Sequence, residues 1–288
     1  MSENKVIISC DSTADLSPEL IERFGIKVNH LPVIMNDTPY VDGITITPAD
    51  IFDYYKTTGQ LAKTSAHNVQ DYLDFFTPFV NEGYSVVHFI ISSSMSASFN
   101  NARMAASELS GVYVIDSKNL STGIGLQVLR AAELARDGMD AKSIAEQVST
   151  LWERVDTSFI LDTLQFLHKG GRCSSVAALG ANLLKLKPCI EVKNGAMDVG
   201  KKYRGKLMDV LLEYTEARLK DIDDIELDRI FVTHTCGDNS DLVRAVREKV
   251  QQLAPFKEVL ETQAGCSVSV HCGPNTLGVL FIRKTPLH

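Results

Sequence analysis

The chain has a single tryptophan in 288 residues and no cysteine pair spaced C-x-x-C, although it holds six cysteines. Cys10, Cys173, Cys189, Cys236, Cys266 and Cys272 are scattered. That distribution argues against a zinc site and a disulfide framework, and fits a reducing cytoplasm. No apolar run approaches the ~20 residues of a membrane span, and the N-terminus reaches strand-like Val6-Ile7-Ile8 without the layout of a signal peptide. Positive charge is short as well. The 29 Lys and Arg stand against 36 Asp and Glu, a formal net charge of -7, which speaks against wholesale nucleic-acid binding. Internal repeats, low-complexity segments and Pro/Gly-rich linkers are missing. So are G-x-S-x-G, the P-loop, G-x-G-x-x-G and H-E-x-x-H, which leaves no common catalytic constellation complete. What remains is the composition of a soluble, cytoplasmic globular protein, 44% hydrophobic and 23% charged, long enough for two domains.

The first half alternates strand and helix. Val6 to Cys10 is a short β-rich run, and Ser17-Pro18-Glu19 then opens a helix with a capping serine and proline at its first position. Thr47-Pro48-Ala49-Asp50 repeats the signal, with an acidic residue three after the threonine, and Asn68 caps a third helix to about Val80. Strands follow at Val86 and Val112, with helices after Ser96, at Gly123 to Arg136 and at Ala141 to Arg154. Strands separated by helices of this length imply right-handed crossovers and a mostly parallel sheet covered on both faces. The second half is less regular. Its candidate strands lie near Phe159, Ile190, Arg229 to Thr235, Lys257 to Glu261 and Leu277 to Arg283, with helices at Leu207 to Lys220 and Asp241 to Leu253. The reading is two α/β domains, residues 1–156 and 157–288, with ligand sites at strand carboxyl ends and between domains.

Ser92-Ser93-Ser94-Met95-Ser96-Ala97-Ser98 directly follows the apolar run Val86 to Ile91. A buried strand that ends in hydroxyls and opens a helix makes an anion site, because free N–H groups and the positive end of the helix dipole point there. Ser96 and Ser98 are read as caps; Ser92, Ser93 and Ser94 exceed what one cap needs. Lys63-Thr64-Ser65-Ala66-His67-Asn68 is a second polar stretch, which alone reads as a solvated loop. In Lys169-Gly170-Gly171-Arg172 the paired glycines permit positive φ or a close approach, and the arginine can present a fork to a carboxylate or phosphate. A helix cap followed by a surface arginine explains the same residues. His271-Cys272-Gly273-Pro274 follows strand-like Ser267 to Val270, which places a histidine of near-neutral titration at a strand end. His234 is similarly placed. Asp11-Ser12-Thr13 resembles the aspartyl phosphatases but lacks their second aspartate, so Asp11 is read as organising its loop. Lys201, Lys202 and Arg204 form a basic cluster that is either a solvated turn or a docking patch for an acidic partner.

In order and spacing these segments resemble the DegV family of bacterial fatty-acid-binding proteins. The resemblance runs from Asp11-Ser12-Thr13-Ala14-Asp15-Leu16 through Lys63-Thr64-Ser65, the serine run, Val114-Ile115-Asp116-Ser117 and Lys169-Gly170-Gly171-Arg172 to Leu186-Lys187-Pro188 and His271-Cys272-Gly273-Pro274. Three departures stand out: Ala66-His67 where Gln-Pro is usual, Ser96-Ala97-Ser98 for Ser-Gly-Thr, and Asn275 for a glycine. Asparagine tolerates left-handed backbone, so that last turn is expected to survive.

The resemblance implies an α/β protein of two DegV-like domains: an N-terminal three-layer α/β/α domain with a mostly parallel sheet, and a C-terminal two-layer domain with a mixed sheet. One long-chain fatty acid lies between them as ligand, and the chain needs no cofactor of its own. Thr64, Ser65, Ser93, Ser94, Ser96, Ala97, Arg172 and His271 would hold the carboxylate. The tail would occupy an apolar tunnel, with Val176 to Leu186 (Ala177, Ala178, Ala181, Leu183 and Leu184) as a candidate wall. In this family a separate ATP-dependent fatty acid kinase phosphorylates the bound acid, giving acyl phosphate for phospholipid synthesis. A cation beside the carboxylate lowers the barrier to an incoming phosphate, which Arg172 does permanently and His271 when protonated. Lys201, Lys202 and Arg204 would dock the kinase. The chain then carries the substrate and is not itself an enzyme. The alternatives are a module for a small polar anion and a free-standing hydrolase or phosphatase using Asp11 or Ser93.

Overall fold

The computed structural model describes residues 5–177, 186–237 and 239–287. β1 (Val6–Asp11) leads through a 3₁₀ turn, Ser12–Ala14, into α1 (Pro18–Phe24) and β2 (Lys27–Asn29). A small excursion follows: β3 (Pro32–Met35), β4 (Thr38–Val41), α2 (Pro48–Thr58) and β5 (Lys63–Thr64). The chain then returns through α3 (Val69–Asn81), β6 (Ser85–Ile90), α4 (Ser98–Ser107), β7 (Val112–Asp116), α5 (Thr122–Arg136) and α6 (Ala141–Val148). Ser17, Thr47 and Asn68 cap their helices as the sequence predicts. Thr47 and Asn68 do so in full capping boxes with Asp50 and Asp71. The helix expected to run to Arg154 stops at Val148, and Leu151–Arg154 forms a separate 3₁₀ turn.

β2-β1-β6-β7 form a wholly parallel four-stranded sheet. α3 and α4 cover one face through a cluster built on Tyr72, Phe76, Val86 and Ile90; α1, α5 and α6 cover the other.

The second half supplies β8 (Val155–Ile160), α7 (Gln165–Gly170), α8 (Ser174–Ala177), β9 (Lys187–Lys193), β10 (Ala196–Tyr203), α9 (Leu207–Arg218), β11 (Ile225–His234), α10 (Ser240–Leu253), β12 (Glu258–Gln263), α11 (Cys266–Cys272) and β13 (Leu277–Arg283). Six of these strands form a mixed sheet in the order β10-β9-β8-β13-β11-β12, in which only β11 and β12 run parallel. The chain is thus an α/β protein with one parallel and one mixed sheet. The division expected at residues 156/157 falls inside β8.

α5 is the joint between the sheets. Ile124, Leu126, Val128 and Leu129 are buried in one cluster with Cys10 and Phe89 of the parallel sheet and Phe231, Leu280 and Ile282 of the mixed sheet. Residues 122–129 of α5 are all buried, as in a helix that both sheets use as a covering layer.

Two features depart from expectation. The three-stranded antiparallel sheet β4-β3-β5 has no counterpart in the sequence reading; its strands are only two to four residues long, and Pro32 and Pro39 stand within two of them. Ser267 to Val270, expected as a strand, lies in α11. The alternation Cys-Ser-Val-Ser-Val imitates a strand period, and no residue beside it caps the helix. The cap comes from far away: Asp42 Oδ1 accepts the Cys266 N–H at 2.7 Å, its Oδ2 accepts the Ser267 N–H at 3.1 Å, and Asp15 Oδ1 accepts the Gly265 N–H at 2.8 Å. α11 belongs to the second half in sequence but packs with Val33, Ile46 and Ile51 of the first.

Candidate functional site

A cavity of about 480 Å³ opens where α11, β5, the loop after β6 and the N-terminus of α4 converge. All eight residues expected to hold an anion, Thr64, Ser65, Ser93, Ser94, Ser96, Ala97, Arg172 and His271, line it. Ile91, Met95, Leu120, Met197 and Val268 supply an apolar wall.

Thr64 is held by the pairing of β5 with β3 and is therefore not on a solvated loop. Its Oγ1 lies 3.0 Å from His271 Nε2, a contact between residues 207 apart in sequence. His271 sits near the end of α11, so it approaches the cavity from a helix and not from a strand end. Its Nδ1 is buried without a partner among the described residues. Burial, with the Arg172 charge second, pushes the imidazole down to about 4. The ring is therefore neutral at pH 7, so the protonation on which the sequence reading made a cationic His271 depend is disfavoured here.

The cap reading holds for Gly171, while Gly170 is required by a close side-chain neighbour. Gly171 adopts φ +67° and caps α7. Gly170 makes the close approach: a Cβ there would lie 3.3 Å from His271 Cε1 and nearer still to Nδ1. Arg172 is exposed beyond them and donates from Nη1 to the Gly170 carbonyl at 2.7 Å. Asn275 does take the left-handed conformation, φ +56°.

The serine run divides its labour differently from expectation. Ser92 is fully buried, and its hydroxyl donates to the Gly195 carbonyl at 2.6 Å, tying the first half to the β9–β10 turn. It does not line the cavity. Ser93 donates its N–H to Asp116 Oδ1 at 3.1 Å and accepts at Oγ from Lys118 Nζ at 3.1 Å. Ser96 is not the cap of α4. That position is Ala97, in helical backbone, while Ser96 Oγ accepts the Ser98 N–H at 3.2 Å. Ala97 and Asn100 both line the cavity, so the N-terminal, positive end of α4 borders it.

Sequence reasoning missed the Asp116–Lys118 pair, 2.9 Å apart, behind Ser93. Burial raises the Asp116 carboxyl, but hydrogen bonds from Ser93 and Lys118 outweigh it and hold the group below its ordinary range. Asn100, Thr13 and Ser267 were missed too. Their only signal was proximity in sequence to the polar motifs.

Asp11 is fully buried and accepts from Tyr72 Oη at 2.7 Å and Asn29 Nδ2 at 3.3 Å. His234 is buried beside Glu261, outside the cavity. Of the wall expected at Val176 to Leu186, Val176 is buried with Cys173 and Met197, while residues 178–185 lie outside the described residues. Lys201, Lys202 and Arg204 do not line the cavity; Lys201 and Lys202 stand farther along β10, the strand that brings Met197 to it. Lys201 pairs with Glu213 at 2.8 Å. Among the described residues no His, Cys, Asp or Glu group is arranged to hold a metal ion, and no helix is long and apolar enough to cross a membrane.

The motif order that surrounds this cavity is matched over residues 5–284 by the model described as "Uncharacterised protein, DegV family". The chain belongs to the DegV family. A DegV domain-containing protein of Deinococcus radiodurans is 30% identical over 275 residues, covering 95% of this chain and 97% of the relative. One from Clostridium perfringens is 28% identical over 285 residues, covering 98% and 99%. Among solved structures, a fatty-acid-binding DegV family protein from Thermus thermophilus superposes with a TM-score of 0.89 at 29% identity, covering 97% of this chain and 99% of that one. A stearic-acid-binding protein from Eubacterium ventriosum gives 0.83 at 27% identity, covering 96% and 98%. The DegV fold of these lipid binders is the fold of this chain.

Proposed function

We propose that this chain binds one long-chain fatty acid in the cavity and presents its carboxylate to a separate ATP-dependent kinase. The observation that carries the binding is convergence: Thr64, Ser93, Arg172 and His271, from four distant segments, line one cavity whose remaining wall is apolar. A carboxylate fits the polar end, with the α4 N-terminus, Arg172 and the Ser93 and Ser94 hydroxyls around it. The tail supplies most of the affinity, roughly 0.8 kcal/mol per CH₂ and on the order of 10 kcal/mol gross. The solved fatty-acid-binding relatives support the ligand class.

In the kinase step a carboxylate oxygen forms a bond to the γ-phosphorus as the bond to the leaving ADP breaks, giving an acyl phosphate for phospholipid synthesis. Arg172, exposed at the rim, offsets the charge repulsion between carboxylate and phosphate. The nucleotide comes with the partner, so this chain is a carrier subunit working in the cytoplasm.

Organic extraction of the purified chain, followed by mass spectrometry, is expected to yield near-stoichiometric fatty acid. An empty extract, with no thermal stabilisation by added fatty acids, would favour a small polar anion instead. Arg172→Ala is expected to lower kinase-dependent turnover about tenfold or more while lipid retention changes little, since the tail dominates binding. Equal losses in both would remove that division. Reversing charge at Lys201, Lys202 and Arg204 is expected to cut the rate with the kinase about tenfold and flatten its salt dependence. Unchanged turnover and salt dependence would dispose of this docking patch.

A further inference from the structure

Ser93, which lines the cavity, is braced from behind. Asp116, the last residue of β7, accepts at Oδ1 from the N–H groups of Ser93 and Lys118, each at 3.1 Å, and takes the Lys118 ammonium at 2.9 Å on Oδ2. The same ammonium donates to Ser93 Oγ at 3.1 Å. One carboxylate and one ammonium thus hold both the backbone and the side chain of Ser93.

The lysine is itself restrained. It stands in left-handed backbone, φ +49°, which a residue with a side chain adopts only where its surroundings enforce it. The β9–β10 turn packs on its stem: a Cβ at Gly195 would lie 2.9 Å from Lys118 Cδ, and the Ser92 hydroxyl ties that turn down through the Gly195 carbonyl. The side chain is 32% exposed, so it is not a freely solvated surface charge.

An ammonium has donors and no lone pair, so Ser93 Oγ can only accept from Lys118, and its own proton goes elsewhere. Asp116 lies within reach of that proton, yet it already takes three donors. A carboxylate in the cavity brings oxygens with unfilled lone pairs and claims the proton in a charge-assisted hydrogen bond. Lys118 does not line the cavity, so its path to a ligand runs through Ser93.

We infer that Lys118 is a positioning residue: it fills the acceptor side of the Ser93 hydroxyl and so commits that hydroxyl to donate to the fatty-acid carboxylate, favouring an acid over a neutral head group. This rests on the fatty-acid reading above and adds to it a residue outside the cavity.

The test compares hexadecanoic acid with hexadecan-1-ol as displacers of a fluorescent fatty acid from the delipidated full chain. The two share a tail, so the ratio of their affinities reads the head group. Removing Lys118 alone would leave the Asp116 charge unbalanced. The variant is therefore Asp116→Asn/Lys118→Met, which removes both charges and keeps an oxygen for the two N–H groups. The preference for the acid is expected to fall about fivefold in it. In a Ser93→Ala background the same two substitutions are expected to leave the ratio unchanged. Because each readout is a ratio within one protein, a general loss of stability does not imitate it. No preference for the acid in the native chain, an unchanged ratio in the Asp116→Asn/Lys118→Met variant, or an equal fall in the Ser93→Ala background overturns the inference and leaves fatty-acid binding intact. Failure of the acid and the fluorescent probe to bind at all removes the fatty-acid reading and this inference with it.

Discussion

Gly170→Ala is expected to weaken fatty-acid binding about two- to fivefold while the protein folds normally. Gly170 is the last residue of α7, in helical backbone, where alanine is favoured over glycine by about 0.5–1 kcal/mol. Local stability should therefore rise slightly. The added Cβ, however, would sit against His271 Nδ1, and the ring would have to swing away from Thr64. Losing one neutral polar contact costs about 1 kcal/mol, roughly fivefold in affinity, and leaves the tail's contribution intact. A double-mutant cycle separates the cause: in a His271→Ala background the glycine substitution should cost nothing further. Wild-type affinity for Gly170→Ala would show that the ring's position is irrelevant to the ligand.

The largest effect on stability is expected from Asp42→Ala, about 3–5 kcal/mol. The side chain is 1% exposed and accepts three hydrogen bonds, from the Cys266 and Ser267 N–H groups and the Ser12 hydroxyl. Truncation strands all three donors inside the protein and removes the anion that complements the N-terminus of α11. The melting temperature should fall by on the order of 10 °C. Asp42→Asn keeps an acceptor and should lose less. Because α11 carries His271, both variants should also lose ligand-dependent stabilisation, which thermal shifts with and without fatty acid would read. An Asp42→Ala protein that melts like the native chain would mean that α11 is held by its apolar contacts alone.

Asp42 also explains where sequence reasoning succeeded and where it did not. The helices capped by Ser17, Thr47 and Asn68 were legible because cap and capped amides lie within three residues of each other. The helix at Cys266 was misread because its cap lies 224 residues away, and what remained locally was an alternating pattern proper to a strand. The β4-β3-β5 sheet escaped for a related reason. Strands of two to four residues carry too little period to show, and what stabilises them is their contact with α11 and α2.

The sequence by itself determined the α/β class, the parallel first sheet, most helix starts and the family, because these rest on local period, local caps and the order of motifs. Through the family resemblance it also named eight of the residues that line the cavity, though not how they meet. Only the tertiary structure decided that Thr64 touches His271, that Ser92 ties two halves together while Ser93 leans on Lys118, and that His271 is neutral. Each of these depends on groups brought together from distant parts of the chain and on the water their packing excludes. Burial and long-range contact are properties of the packed molecule, and no short stretch of sequence carries them.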